Sequence, residues 1–134
     1  MSYEAESNAL RAQFETTWAA ATVIAWENAE FNPPDNASWV RFTTQHSTAF
    51  QASMGDPGNN FIRHPGVVTV MIFSPLNRGD KAALELADNA AAVFRGYQSA
   101  GVYFRSPPSI RRVGVDGKWY HINVVCPFER DTRL

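Results

Sequence analysis

The sequence predicts one α+β domain, residues 1–134, built on a mostly antiparallel or mixed sheet of four to five strands. Two helices are expected on one face of the sheet, with a long loop or hairpin projecting from it. Three observations favour this class. Helical and strand-like patterns neither alternate strictly nor segregate, two segments have helical periodicity, and residues 67–74 are nearly all apolar. The 134 residues, 45% of them hydrophobic, suffice for one core and leave little room for a second domain.

The first segment, residues 2–20, has the pattern of an amphipathic helix. Leu10, Phe14 and Trp18 recur at four-residue spacing, and polar residues occupy most other positions. Glu4 and Glu6 stand near its start, where carboxylates interact favourably with the helix dipole. The pattern assigns both acids to the polar side of the helix.

The next segments are predicted to be a short strand, a turn and a longer strand. Residues 22–26 are β-prone, and the sequence Asn-Pro-Pro-Asp-Asn at 32–36 can continue neither a helix nor a central strand. From Trp39 to Thr43, bulky and polar residues alternate, which is typical of a half-buried strand.

The segment from His46 to Gly66 is the polar, turn-rich part of the chain, interrupted by a few apolar residues. A loop of this length inside a small domain is generally functional. The alternative is a projecting hairpin with Gly55-Asp56-Pro57-Gly58 at its tip. After it, residues 67–74 predict a central strand that is buried on both faces.

The second helix is predicted over residues 81–95, with Asp80 as its N-terminal cap and Gly96 as the left-handed residue that follows it. Short strands are expected at 102–104 and 110–115. Asp116-Gly117 predicts a type I′ hairpin turn into a last strand, residues 119–128. Pro127 is expected to mark the end of that strand or an exposed edge.

Composition predicts a soluble intracellular protein. The single cysteine excludes an internal disulfide, the apolar runs are too short to span a bilayer, and the N-terminus does not have the pattern of an export signal. The net charge of −1 conceals a split along the chain. Two basic and seven acidic residues up to Ile62 give −5, and ten basic and six acidic residues after it give +4. Such a split arises by chance or indicates complementary faces suited to head-to-tail association.

No catalytic, cofactor-binding or metal-binding signature is found, and no cofactor is expected. His46, His64 and His121 are far apart, and hydrogen-bonded or solvated histidines are commoner than ligands. Cys126, in the apolar last strand, predicts a buried, unreactive thiol.

A basic cluster is the remaining chemical feature, because three arginines flank residues 106–109. They are Arg105, Arg111 and Arg112, and they suit contact with phosphate, carboxylate or a partner's acidic face. Nucleic-acid recognition is the weaker interpretation, since dedicated binders are basic overall and this chain is slightly acidic.

Four stretches of the chain follow one another in a recognisable order. The opening has a helix, then IAWEN at 24–28, a proline-bearing turn and WVR at 39–41. SMGDPGNNFIRHPGVVTVMIF at 53–73 combines a glycine-bearing loop, an arginine, a turn glycine and a strand. GDKAALELAD at 79–88 with FRG at 94–96, and DGKWY at 116–120, complete the pattern. Together they resemble tail terminator-like proteins of long-tailed bacteriophages over nearly the whole chain.

This resemblance implies a structural virion protein without enzymatic activity, located at the head–tail junction and assembled in the cytoplasm of the host bacterium. Proteins of this kind form a homohexameric ring that caps the tail tube, ends its growth and presents a surface for joining the head. The implied partners are further copies of the chain, the major tail tube protein and a head-completion or connector protein. No membrane is involved. A subunit about 35 Å across leaves a lumen of about that width in a ring of six, so that DNA passes through only as cargo.

The family motifs carry no active site, so the interface residues are predicted from their position in the loop and on turns. They are Ser53, Met54, Gly55, Asp56, Asn59, Asn60, Arg63, Arg78, Arg105, Arg111 and Arg112. For each arginine, an ordinary solvated charge is the alternative. Two other functions stay open at this point: a different phage adaptor, such as a head-closure or tail-completion protein, and a small enzyme that pairs a histidine with an acid.

Overall fold

The computed structural model describes residues 3–18, 22–34, 36–77, 79–99 and 101–133, and confirms the α+β class. Ser2, Ala19, Ala20 and Asp35, which belong to the predicted first helix and turn, lie outside these ranges. The helices are α1 (Tyr3–Trp18) and α2 (Lys81–Phe94). The strands are β1 (Val23–Ala25), β2 (Trp39–His46), β3 (Phe50–Gln51), β4 (Phe61–Pro75), β5 (Gln98–Ser99), β6 (Val102–Tyr103), β7 (Ser109–Asp116) and β8 (Trp119–Arg133).

The strands form a mixed sheet in the order β1-β2-β4-β8-β6-β5, with β3 also paired to β4 and β7 also paired to β8. β1 runs parallel to β2, and the other pairings are antiparallel. The expected four to five strands are too few, because the described residues contain eight. β3, β5 and β6 have two residues each, which is too short for any periodicity to be visible in a sequence.

The centre of the sheet is a ladder between β4 and β8 in which Phe61 pairs with Arg133 at one end and Pro75 with Trp119 at the other. Its 15 residue pairs extend about 50 Å at roughly 3.3 Å per residue. The subunit is therefore longer than a sphere of its mass, and its two ends are well separated.

Both helices cover one face of this ladder, as predicted. The side chains that fill the core between them and the sheet include Val68, Val70, Ile72, Ile122 and Val124, all fully buried. The alanine stripe of α2 is also buried, which allows this helix to lie close to the sheet.

Glu6 corrects the expected pattern of α1, because it lies on the buried side of the helix with Leu10, Phe14 and Trp18. Its Oε1 accepts a hydrogen bond from Nε of Arg130 at 3.0 Å, and both side chains are almost completely buried. Its Oε2 lies 2.6 Å from Nε2 of His46. A buried ion pair therefore holds the first turns of α1 against the end of β8.

The face of the sheet opposite the helices is only partly covered. A small cluster of Ala25, Trp39, Phe73 and Trp119 is buried there, with the Trp39 and Phe73 rings stacked at 4.2 Å. Residues 67–74 do form the predicted central strand, since β4 pairs on both sides. Burial on both faces is not observed throughout, because Val67, Thr69 and Met71 are half-exposed on the open face.

The predicted ends of α2 are right in position, but Asp80 does not act as expected. It occupies the N-terminal cap position, yet its side chain makes no capping hydrogen bond to the described residues of the helix. The carboxylate instead pairs with Nη1 of Arg112 at 2.9 Å, which links α2 to β7. Gly96, with φ of +68°, has the predicted left-handed conformation beyond the C-terminal end.

The hairpin between β7 and β8 is confirmed, with a different turn. Asp116 pairs with Trp119, so that Gly117 and Lys118 are the two turn residues. Gly117 has a φ of +63°, whereas Lys118 is not among the described residues with positive φ. Positive φ at the first turn residue alone is typical of type II′ rather than type I′.

Pro127 lies inside β8 and does not end it, since the strand continues to Arg133. The other side of β8 explains why a proline is tolerated. β7 pairs with β8 up to Val125, and β6 pairs with it from Glu129. Pro127 falls in the gap between these two short partners, where a residue without an N–H leaves the ladder intact.

Candidate functional site

The segment that was predicted as a loop or hairpin, residues 46–66, is a hairpin. β3 pairs with the start of β4 through Phe50 with Arg63 and Gln51 with Ile62, and the N–H of Ala52 donates to the carbonyl of Phe61 at 2.8 Å. Residues 50–62, called the projecting hairpin below, therefore extend from one end of the β4–β8 ladder.

Hydrogen bonds within the tip hold four of the predicted interface residues in place. Ser53 Oγ accepts from the N–H of Phe61 at 2.8 Å. Asn59 donates from its backbone N–H and its Nδ2 to the carbonyl and carboxylate of Asp56, at 2.9 and 3.1 Å. Asn60 Oδ1 accepts from the N–H of Asp56 at 3.2 Å. These side chains shape the turn, in which Gly55 adopts a φ of +96°.

The surface of the projecting hairpin is more apolar than the sequence suggests. Met54 is 88% exposed, Phe50 51% and Phe61 38%. Phe61 is covered on one side by the Arg133 guanidinium, 4.6 Å from the ring centre. Phe50 and Phe61 were not among the predicted interface residues, although apolar residues within a turn-rich segment are a usable signal for contact with a partner.

Arg63 is an internal structural residue at the base of the projecting hairpin. Its Nε lies 3.0 Å from carboxylate oxygens of both Asp131 and Glu129, and its Nη2 lies 3.3 Å from Asp131. The Tyr103 hydroxyl is within 3.2 Å of the same two carboxylates. This group ties β4, β8 and β6 together on the open face.

The pKa shifts in this group agree with its geometry. Hydrogen bonding to Asp131 raises the pKa of Arg63. Burial, followed by the hydrogen bond to Asp131, raises the pKa of Tyr103. Burial alone would raise the pKa of Asp131, but hydrogen bonds from Arg63 and Tyr103 outweigh it and the pKa is lowered. Arg63 is therefore engaged within the subunit, with its side chain 26% exposed.

The predicted basic cluster does not form one patch. Arg105 lies over the Tyr103 ring, 5.0 Å from its centre, beside β6. Arg111 and Arg112 are neighbours in β7, so their side chains point to opposite faces of the sheet, and Arg112 pairs with Asp80. Arg78, the remaining predicted interface arginine, lies outside the described residues.

A second exposed apolar surface lies along β7, where Ile110 is 41%, Val113 53% and Val115 71% exposed. Among the strands of the described ranges, β7 pairs with β8 alone and is therefore an edge strand. A bulge between Arg112 and Gly114 takes Val113 out of register. None of these three apolar residues was predicted as an interface residue.

The three histidines take structural positions. His46 contacts Glu6, His64 lies between Tyr3 and Thr132, and the His121 ring stacks on Phe73 at 4.3 Å. Within the described ranges, no group of three His, Cys, Asp or Glu side chains is arranged to hold a metal ion. The prediction of a buried thiol is confirmed, since Cys126 is fully buried and burial raises its pKa to about 12. None of the described helices has the length and apolar character needed to cross a membrane.

Acidification is expected to destabilise the protein through His64. Burial and the nearby Arg130 guanidinium lower the pKa of its ring below the ordinary value near 6.5. The unfolded chain then binds more protons than the folded one as the pH falls through about 6.5, so stability is full above that pH and declines below it. Urea unfolding at pH 7.5 and pH 5.5 measures the decline.

The matched control for this pH effect is His64→Gln, which keeps the ability to hydrogen-bond but does not titrate. Glu6 and Asp131 also face His64, and both remain in the variant. The variant is expected to lose less stability than the natural chain between the two pH values. An equal loss in both proteins would assign the effect to other groups.

The acidic and basic halves of the sequence are brought together in the fold. Glu6 of the first half meets Arg130 of the second, both fully or almost fully buried. Several cations of the second half are paired with acids of the same half, as in Arg63 with Asp131 and Arg112 with Asp80. The charge split therefore does not translate directly into two separate faces of one subunit.

Comparison with known proteins identifies the family. The family model described as phage tail terminator protein matches residues 7–128, and no curated protein matches the sequence. One solved structure, known only by a sequence identifier, has 22% identity to this chain and covers 92% of it and 94% of its own length. Its TM-score of 0.67 shows a shared fold. The chain belongs to the family of phage tail terminator proteins, and its role is a structural one in the tail of a phage.

Proposed function

We propose that the protein assembles as a homohexameric ring on the end of the phage tail tube, ends growth of the tube and provides the surface to which the head is joined. The family match over residues 7–128 is the observation that carries this proposal. Copies of the chain, the tail tube protein and a head-completion protein are the partners, and DNA passes through the lumen as cargo.

The shape of the subunit is compatible with such a ring. Six compact subunits about 35 Å across enclose a lumen of about that width, which admits duplex DNA. The β4–β8 ladder, about 50 Å long, gives each subunit two distant ends, and a projecting hairpin at one end suits contact with a neighbour. A contact between unlike surfaces, repeated by a rotation that closes, generates a ring.

The direct test is the length of the tails made by a phage that lacks this gene. If the protein ends tube growth, the mutant produces tails of irregular and excessive length, and the gene supplied in trans restores one length. Tails of normal length that lack heads would favour a head-completion function instead. Negative-stain images of the purified protein, and of tails carrying it, would show whether the ring exists and how many subunits it has.

Shortening the projecting hairpin is expected to leave a folded subunit that does not assemble. Residues 53–60 can be replaced by Asn-Gly, since Ala52 and Phe61 are already hydrogen-bonded and a two-residue turn can close that pair. Light scattering measures assembly, and tail length is scored by electron microscopy. The control replaces the same residues with eight Gly and Ser residues, which keeps the length but removes the side chains. Tails of normal length with the Asn-Gly variant would exclude a role of the hairpin in termination.

A further inference from the structure

The two exposed apolar surfaces lie at opposite ends of the molecule. Phe61 of the projecting hairpin pairs with Arg133 at one end of the β4–β8 ladder. At the other end Val115 of β7 pairs with Tyr120, which itself pairs with Ser74. From position 61 to position 74, the two surfaces are about 40 Å apart along the strand at roughly 3.3 Å per residue. They cannot meet within one subunit.

The edge of β7 suits the docking of side chains better than the addition of a strand. Its ladder is interrupted by the bulge between Arg112 and Gly114, and its two arginines point to opposite faces. Bulges and charges of this kind protect edge strands against indiscriminate pairing. Ile110, Val113 and Val115 nevertheless leave an apolar row exposed between and beyond the arginines.

The two surfaces are complementary in charge. Asp56 is the only charged residue between positions 47 and 62, so the hairpin presents apolar side chains and one carboxylate. Arg111 and Arg112 are the only charged residues between positions 109 and 115, so β7 presents apolar side chains and cations. Asp80 already pairs with Arg112, which leaves Arg111 as the better partner for a carboxylate from outside.

We propose that the projecting hairpin of one copy docks on the β7 edge of the next copy. Met54, Phe50 and Phe61 cover the apolar row of β7, and Asp56 lies against Arg111. This contact joins unlike surfaces, so it repeats from copy to copy. The inference rests on the proposed ring, because it names the contact by which the ring closes.

Cysteine cross-linking tests the contact directly. Met54→Cys and Val115→Cys place thiols at positions that are 88% and 71% exposed in the natural chain, while Cys126 is buried. Under a mild oxidant, a mixture of the two variants is expected to form a disulfide-linked dimer, and neither variant alone should do so. Glu85→Cys, on the solvated side of α2, replaces Val115→Cys in the control. Cross-linking of Met54→Cys with itself, or equal cross-linking to the control, would overturn the proposal.

A mixing experiment tests the direction of the contact. Met54→Glu removes the docking surface, and Val115→Glu removes the accepting one. Each variant alone is expected to stay monomeric at concentrations at least tenfold above those at which the natural chain assembles. An equimolar mixture retains one intact pair of surfaces and is expected to stop at a dimer, whereas the natural chain closes a ring. Circular dichroism verifies that both variants fold.

The outcomes separate this contact from the proposed function. If the natural protein forms rings that neither glutamate variant disrupts, the docking proposal fails and the ring remains. If the cross-link forms but a phage lacking the gene makes tails of normal length, the contact holds and the terminator function fails. If the natural chain forms neither a cross-linkable contact nor a ring, in solution or on tails, both are overturned.

Discussion

Replacing Glu6 with glutamine is expected to lower the free energy of unfolding by about 3–5 kcal/mol. The Glu6 carboxylate accepts a hydrogen bond from Arg130 at 3.0 Å and lies 2.6 Å from His46. Glutamine has nearly the same shape but no charge, so the Arg130 guanidinium, only 1% exposed, loses its buried carboxylate partner. Its remaining contact with the Tyr3 ring, 4.8 Å away, is much weaker than an ion pair. Chemical denaturation followed by circular dichroism measures the loss.

Two variants serve as controls for this effect. Glu4→Gln changes an exposed acid in the same first turn of α1, and is expected to alter stability by less than about 0.5 kcal/mol. The double variant Glu6→Leu with Arg130→Met replaces the ion pair by apolar side chains of similar size, and should recover most of the lost stability. A loss below about 1 kcal/mol for Glu6→Gln would contradict a buried, charge-paired role for Glu6.

Glu6 also shows what the sequence could and could not predict. Its spacing of four residues from Leu10 places it on the buried stripe of α1, so its burial was open to prediction. Its partner was not, because Arg130 is 124 positions further along the chain and reaches it only through the pairing of β4 with β8. Local patterns cannot specify contacts of that separation.

The elements with strong local patterns were predicted correctly. The alanine stripe of α2, the apolar run of β4 and the hairpin before β8 each carry a signal within a few residues. The position of Pro127 inside β8 could not be inferred from local rules, since it depends on a gap between two partner strands. Asp80 has the residue type of a cap, but Arg112, reached through the tertiary fold, competes for its carboxylate.

The candidate site was predicted in place but not in chemistry. The turn-rich segment did mark the projecting hairpin, yet its polar residues hold the turn together while Met54 and two phenylalanines provide the exposed surface. The β7 surface was missed, because exposed apolar residues in a short strand look the same in a sequence as buried ones. Only the fold shows that no helix covers them.

The group around Arg63 gives the projecting hairpin a rigid base. Arg63 lies in β4 directly after the hairpin and is tied to Asp131 and Glu129 of the neighbouring strand. An element held in one orientation loses less conformational entropy when it docks, so more of the contact energy remains as affinity. Arg63, predicted as a contact residue, therefore acts on assembly by positioning the hairpin.

Gly66→Ala is expected to destabilise the protein by roughly 3 kcal/mol, near the upper end of the range for overpacking a core. All eight glycines lie within the described residues, and Gly66 is the one without a positive φ. Its role is to provide space. A Cβ there would lie 2.4 Å from Cζ of Phe128 and 2.9 Å from the carbonyl oxygen of Gln45. The Phe128 ring is 2% exposed and packs against Phe104, so it has little room to move.

A double-mutant cycle separates the two clashes. Phe128→Leu removes the ring atoms that the new methyl group would meet, at the cost of a cavity. If the ring is the main obstacle, Gly66→Ala with Phe128→Leu costs at least about 1 kcal/mol less than the sum of the single variants. If the costs add, the rigid contact with Gln45, held in the β2–β4 ladder, limits the site. A loss below about 1 kcal/mol for Gly66→Ala alone would show that β4 and β8 can separate at this pair, and that the base of the projecting hairpin is softer than its contacts imply.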